Sequence, residues 1–241
     1  MKAIILAAGR GSRLQSLTAE RPKALVPFNG LPLLRRTIDT LRGGSVSEVG
    51  IVAGYRSEML APFADTLFYN CQWHSSGIFS SLSCASAWLS AEPCLVSYGD
   101  IFYDSALVAG LVDHPADIAL GYDPAAVSLW QQRFDDPLSD LENFRFADGL
   151  VSEIGQRAAS LEVIQGQYMG LLKVTPKGWQ ALNKQLHELM PQARNQADMT
   201  SLLGALVDSG FPVAGVATYA PWGEIDCPSD VALYERIYPQ L

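Results

Sequence analysis

The run Lys2-Ala3-Ile4-Ile5-Leu6-Ala7-Ala8 is apolar almost throughout and ends in small residues, as a strand buried on both faces of a parallel sheet does. Pro32–Leu41 then repeats apolar positions at intervals of three to four (Leu33, Leu34, Thr37, Ile38, Leu41), which predicts an amphipathic helix. Ser47–Ala53 predicts a second strand, Arg56–Leu67 a helix, and Phe68-Tyr69-Asn70 a third strand. Ser80–Leu89 alternates small and apolar residues and predicts another helix. Pro93–Tyr98 predicts a further buried strand, which runs into Gly99-Asp100-Ile101. Strands alternating with helices predict an α/β fold with a mixed, mainly parallel sheet flanked by helices.

A chain of 241 residues suits a single domain over 1–241, and nothing in it reads as a repeat or a low-complexity linker. The apolar run Ile4–Ala8 is too short for a signal peptide. No later stretch approaches the roughly 20 apolar residues of a membrane helix. Cys71, Cys84, Cys94 and Cys227 are irregularly spaced without a C-x-x-C pair, which predicts reduced thiols and a cytoplasmic setting. The net charge of −8 argues against a nucleic-acid partner, yet it is unevenly spread. Residues 1–36 carry Lys2, Arg10, Arg13, Arg21, Lys23, Arg35 and Arg36 against Glu20 alone, for +6, while the remainder is −14. A basic end of this kind can collect a small anion.

Gly9-Arg10-Gly11-Ser12-Arg13-Leu14 follows the first strand at once. Glycines there let backbone N–H groups approach a phosphate, and the N-terminus of a following helix would add its dipole. A Walker A loop would need G-K-[ST], which is missing. A dinucleotide fingerprint would need a third glycine where Leu14 stands, and an acid ending the second strand where Gly54-Tyr55 follows Ala53. Leu6-Ala7-Ala8-Gly9-x-Gly11-x-Arg13-Leu14 followed by Arg21-Pro22-Lys23-Ala24-Leu25 resembles instead the opening of the sugar-phosphate and choline-phosphate nucleotidyltransferases. That resemblance implies a Rossmann-like nucleotidyltransferase fold and transfer of a nucleoside monophosphate from an NTP. Leu6, Ala7, Ala8, Gly9, Arg10, Gly11 and Ser12 would bind the nucleotide, and Arg13 and Lys23 would offset charge on the reacting phosphates.

The strand end Gly99-Asp100 lies where open α/β sheets place ligands. In the resembling family the matching acid binds Mg²⁺, a cation that usually takes one or two protein carboxylates. The second acid expected is Asp226, from Trp222-Gly223-Glu224-Ile225-Asp226-Cys227-Pro228-Ser229-Asp230; Glu224 and Asp230 are expected to support or cap. His74, His114 and His187 are isolated, and an ionised phosphate nucleophile needs no general base.

The E-K-P element of sugar-nucleotide enzymes is missing, whereas Leu129–Glu142, Asp148-Gly149 and Gly166–Leu171 look like the cytidylyltransferases acting on phosphocholine, phosphonates or phosphoglutamine. CTP as partner, a small anionic metabolite as acceptor and a place in capsule or cell-surface polysaccharide synthesis are what that likeness implies. Gly54 and the hydroxyls of Ser80 or Ser81 are the expected base-binding groups. Trp130, Arg133, Tyr168, Asp198 and Trp222 are the expected acceptor groups, in a small lobe drawn from about residues 125–175. An aromatic box would suit a quaternary ammonium, whereas Arg133 or Arg157 with Asp198 or Glu142 would suit an amino acid. A hexose-1-phosphate enzyme using UTP or dTTP and a catalytically silent nucleotide-binding module are the rivals. A homodimer is compatible with the sequence.

Overall fold

The computed structural model describes residues 1–241, the side chains of Pro191 and Gln192 excepted. The opening apolar run forms β1 (Lys2–Ala7), whose side chains divide by parity: Ala3, Ile5 and Ala7 enter one apolar cluster, Ile4 and Leu6 the other. Burial on both faces is why the run shows no polar alternation. Parallel to it lie β2 (Glu48–Ala53), β3 (Thr66–Tyr69) and β4 (Cys94–Tyr98), and the sheet continues through β5 (Ile118–Asp123), β6 (Glu142–Ala147), β7 (Leu150–Arg157), β8 (Gln167–Val174) and β9 (Ala214–Ala217). The nine strands are ordered β3-β2-β1-β4-β8-β5-β9-β7-β6. β8 runs antiparallel to both β4 and β5, and β7 antiparallel to both β9 and β6, so the sheet is mixed and mainly parallel in direction.

Helices cover both faces. On one side, α1 (Leu33–Gly43) packs Leu33, Leu34, Ile38 and Leu41 against the sheet. α2 (Ile78–Ser83) and α3 (Ser86–Ala91) pack on the other side. α4 (Ser105–Asp113) and α5 (Ala126–Arg133) join the face of α1; α6 (Pro176–Glu188) and α7 (Met199–Asp208) join that of α2. α8 (Pro228–Ile237) packs beside α5. Among the described residues no helix is long and apolar enough to cross a membrane, and all four cysteines are free.

Three expectations need correction. Arg56–Leu67 forms no α-helix: it makes two 3-10 turns, Ser57–Met59 and Ala61–Phe63. Pro62 removes a donor and biases Ala61 away from helical geometry, and Asp65 N already donates to Val49 O at 2.9 Å as the chain joins the sheet. The single helix expected over Ser80–Leu89 is two, broken at Cys84-Ala85. The lobe expected over about 125–175 is smaller, because β8 is a central strand with Leu171, Leu172 and Val174 wholly buried. What stands at the sheet edge is the β6–β7 hairpin, turned by Asp148 (φ 53°) and Gly149 (φ 79°), both left-handed as a two-residue hairpin turn demands.

Candidate active site

β1 delivers the chain to the sheet rim, where Ala8 O accepts from Tyr55 N at 2.9 Å and ties the glycine loop to the end of β2. Gly11 is left-handed at φ 75°, and a Cβ there would lie 2.6 Å from Lys23 Cβ. The missing side chain is what lets Lys23 pass beneath the loop. Ser12–Thr18 is a 3-10 segment broken at Gln15 (φ 51°, ψ −118°), so donors here are loop amides rather than the N-terminus of an α-helix. This corrects the expectation of a helix dipole.

A cavity of about 280 Å³ opens beside the loop, lined by Leu6, Ala7, Ala8, Gly9, Gly11, Lys23, Trp73, Ser76, Gly77, Ser81 and Asp100 among others. Arg10 and Ser12 are exposed and lie off this wall; Arg10 stacks over Tyr55 at 5.6 Å. Gly54 is buried behind the wall, and a Cβ on it would press on Trp73 at 2.5 Å and Ala8 O at 2.7 Å. Of the two serines, only Ser81 reaches the cavity; Ser80 turns outward to Asn195, at 3.4 Å from its Oδ1. The organising residue is Asn70, which sequence reasoning missed. Its Nδ2 donates to Ser81 Oγ at 2.9 Å and to Ser76 Oγ at 3.0 Å, while its Oδ1 accepts from Gln72 N at 2.9 Å. Both hydroxyls therefore accept from Asn70 and keep their own protons free to donate.

Asp100 follows β4 on the wall of this cavity, and two further acids arrive from the far end of the chain. Gly223-Glu224 pairs antiparallel with Ile101-Phe102, and Ile225 N donates to Asp100 O at 2.9 Å. The result sets one carboxylate oxygen each of Asp100, Glu224 and Asp226 within 4.8 Å of one another. Glu224, expected only as support, is thus a full member of the cluster. Lys23 Nζ donates to Asp100 Oδ2 at 2.6 Å and also to Asp226 Oδ1, which takes a further bond from Arg13 at 2.9 Å. Burial alone would lower the Lys23 pKa, but Asp100 and Asp226 outweigh it and raise it. Burial would likewise raise Asp226, and Lys23 reverses that, holding the carboxyl below its ordinary range. Glu224 has only the more distant Arg133 Nη1, at 3.8 Å, and burial, then Asp100 and Asp226, outweigh the nearby cations and push it well above the ordinary value. Asp100 Oδ1 is buried and has no hydrogen-bond partner among the described residues. Three converging carboxylates with one oxygen unpaired fit a hard divalent cation such as Mg²⁺.

Asp226 is itself held from behind. Asp230 Oδ2 accepts from Asp226 N at 2.8 Å and Cys227 N at 3.0 Å, the cap of α8. The Arg133 guanidinium grips Asp230 through Nε at 3.1 Å and Nη2 at 3.3 Å, stacked on Trp130 at 4.7 Å. Arg133 and Trp130 are therefore scaffold buried under the acids, and their expected place in an acceptor pocket is corrected. Asp198 is corrected too: it caps α7 by accepting from Ser201 N at 2.7 Å. Tyr168 and Trp222 do line a second cavity, of about 200 Å³, which adjoins the acids through Glu224.

A family model described as the MobA-like NTP transferase domain matches residues 3–207. The chain is 28% identical over 250 residues to the CTP:phosphoglutamine cytidylyltransferase of Campylobacter jejuni subsp. jejuni, covering 96% of this chain and 98% of that one. Its fold is similar to that of the inositol-1-phosphate CTP transferase of T. maritima, with a TM-score of 0.77 at 22% identity over 100% and 97% of the two chains. It is also similar to the CTP:phosphocholine cytidylyltransferase of Streptococcus pneumoniae, with a TM-score of 0.73 at 19% identity over 98% of each chain. At such identities the structural likeness carries the fold.

Proposed function

Because the chain belongs to the MobA-like NTP transferase family, we propose that it transfers CMP from CTP to a small phosphorylated or phosphonate metabolite and releases pyrophosphate. The observation that carries this reading is the meeting of two cavities at one charged cluster, with Asp100 on the wall of the first and Glu224 on that of the second. A donor nucleotide in one and an acceptor in the other would face each other across Lys23 and the acids. CTP is favoured by the relatives named above, and the free hydroxyl protons of Ser76 and Ser81 suit the O2 and N3 acceptors of a cytosine ring.

An ionised oxygen of the acceptor attacks the α-phosphorus in line, a P–O bond forms, and the bond from that phosphorus to the oxygen shared with the β-phosphate breaks. Pyrophosphate carries the electron pair away, so no protein base is consumed. The loop over Gly9–Gly11 offers amides to the triphosphate, and Arg13 reaches over the rim. Lys23, kept charged by its two acids, offsets repulsion between the two reacting anions. Asp100, Asp226 and Glu224 would hold Mg²⁺, which when bound supplies positive charge against phosphate oxygens.

The deciding experiment is a pyrophosphate-release screen with Mg²⁺ that crosses four NTPs with phosphocholine, phosphoethanolamine, 2-aminoethylphosphonate, phosphoglutamine and glucose-1-phosphate. Turnover with CTP and a non-sugar acceptor is expected. Turnover confined to UTP or dTTP with the sugar would move the chain to the hexose-phosphate branch.

A further inference from the structure

Asn70 is 4% exposed, and its backbone is pinned to the end of β2, where Asn70 N donates to Ala53 O at 2.9 Å. The backbone N–H of Gln72 donates to the Asn70 side chain at 2.9 Å. A backbone N–H can only donate, so that contact fixes which end of the amide is oxygen. The Nδ2 end then faces the hydroxyls of Ser81 and Ser76, at 2.9 and 3.0 Å, and gives one proton to each. A serine oxygen that accepts from Asn70 keeps its own proton, and neither proton goes to a protein acceptor among the described residues. Both serines line the first cavity, whereas Asn70 stands behind its wall. Two hydroxyl donors are thus presented to one space by a single buried amide.

We propose that Asn70 selects the nucleobase by setting the hydrogen-bond polarity of Ser76 and Ser81. The inference rests on the transfer reading above and assigns the choice between pyrimidines to a side chain that is not on the cavity wall. The cytosine edge carries two adjacent acceptors, O2 and N3, whereas the uracil edge sets a donor, N3–H, beside O2. With an amide at position 70 both serines can donate, and cytosine satisfies both. Uracil forces one serine to turn its proton away from the ring. A carboxylate of the same shape reverses this preference. One of its oxygens still accepts from Gln72 N, and the other accepts the single proton of each serine. Only lone pairs then face the ring, which repel O2 and N3 of cytosine and suit N3–H of uracil. Exchange of one NH₂ for one oxygen behind the wall therefore inverts what the wall reads. Asn70 is a positioning residue, acting on the base through the two hydroxyls.

The test reads binding of non-hydrolysable CTP and UTP analogues by calorimetry with Mg²⁺, at about pH 8 so that an introduced carboxyl is ionised. Wild type should bind the CTP analogue at least about tenfold more tightly, the usual effect of a hydrogen bond made to one ring and missed by the other. Asn70→Asp should weaken both analogues, because it buries a negative charge beside an anionic ligand. It should also lower the CTP-to-UTP affinity ratio about tenfold or more. A merely structural role would weaken both alike and leave that ratio in place. Ser76→Ala and Ser81→Ala keep the amide and should each shrink the ratio, and they decide the matter if the Asp variant does not fold. Equal binding of the two analogues by wild type, a wild-type ratio in folded Asn70→Asp, or a wild-type ratio in both serine variants overturns the proposal. Pyrophosphate release, followed in parallel, separates the two readings. CTP-selective binding that Asn70→Asp abolishes, without release from any NTP, would uphold the role of Asn70 and sink the transfer reading; release with CTP whose preference over UTP survives Asn70→Asp would do the reverse.

Discussion

Lys23 and Asp100 come from segments 77 positions apart and meet through a 2.6 Å hydrogen bond, with the same ammonium shared by Asp226. The lysine thus stands among the carboxylates where a divalent cation would bind, and the two cations would compete for the same oxygens. Lys23→Ala should therefore increase the rise in melting temperature that Mg²⁺ gives the nucleotide-free protein. The same variant should lower turnover about 10²–10³-fold, or roughly 2.7–4 kcal/mol, the cost of losing one stabiliser of transition-state charge. Mg²⁺ shifts equal to wild type would refute the competition, and near-normal turnover would remove Lys23 from catalysis.

Asp100→Asn keeps the shape of the side chain and removes the charge beneath the unpaired Oδ1. The fold should survive, since backbone pairing of Ile225 N with Asp100 O is untouched. Mg²⁺ titration followed by thermal shift should flatten, and Mg²⁺-dependent turnover should be lost. A titration superimposable on wild type would exclude Asp100 as a ligand.

Gly11→Ala tests the loop without touching a charge. A left-handed alanine costs about 1 kcal/mol, and its methyl would collide with Lys23 Cβ. We expect a modest loss of stability in urea with a disproportionate loss of turnover, about tenfold or more by the usual penalty for displacing a reacting group. Equal, small effects on both would mean the loop accommodates the methyl.

Arg133→Met leaves Asp230 buried without its ion partner. Breaking such a pair typically costs about 3–5 kcal/mol, which chemical denaturation would register directly. Because Asp230 also anchors Asp226 N, the protein that remains folded should bind Mg²⁺ more weakly. A loss below about 1 kcal/mol, as for an exposed pair, would contradict the clamp.

Much of this was legible from the chain, and the exceptions share a cause. β1, β2 and β4 were readable because central parallel strands are apolar on both faces, and the glycine loop and Asp100 because they follow strand ends, whereas Lys23 and Asp226 were readable through the resemblance of their motifs to the nucleotidyltransferases. Arg133 and Trp130 looked like ligand groups because a polar segment surrounds them. Only the tertiary partner Asp230, 97 positions from Arg133, shows that the guanidinium faces inward. Ser80 and Ser81 cannot be told apart without knowing where α2 turns its faces. Asn70 carries no motif, and its role exists only once β3 brings it beneath two hydroxyls. The segment Arg56–Leu67 misled because the apolar spacing suited a helix while Pro62 did not.

One stability prediction is tied to pH. Asp117 accepts from Lys177 Nζ at 2.7 Å and from the Thr175 hydroxyl at 2.8 Å, and Thr175 in turn caps α6. Those hydrogen bonds, Lys177 first, hold the Asp117 pKa below its ordinary 3.8. A depressed carboxylate stabilises the fold fully above its unfolded value, and the contribution fades as pH falls through the folded one. Asp117→Asn should therefore lower the melting temperature near neutrality, by the equivalent of roughly 0.5–1 kcal/mol for a partly exposed pair. The difference from wild type should close below about pH 4, near the unfolded carboxylate value. A difference that persists undiminished into acid would show that the charge is not what stabilises.

Arg13 and Asp226 are bonded at a sequence separation of 213, and Asn29 is bonded to the Tyr238 carbonyl at a separation of 209. Contacts of such long range are slow to form, since loop closure comes before any reward. Until Gly223–Ile225 has paired with Asp100–Phe102, the chain cannot present Asp226 and Glu224 to Asp100. Metal binding at these acids would thereby be coupled to the completion of folding, and recovery of Mg²⁺ affinity during refolding would mark the moment at which the two ends of the chain have closed on each other.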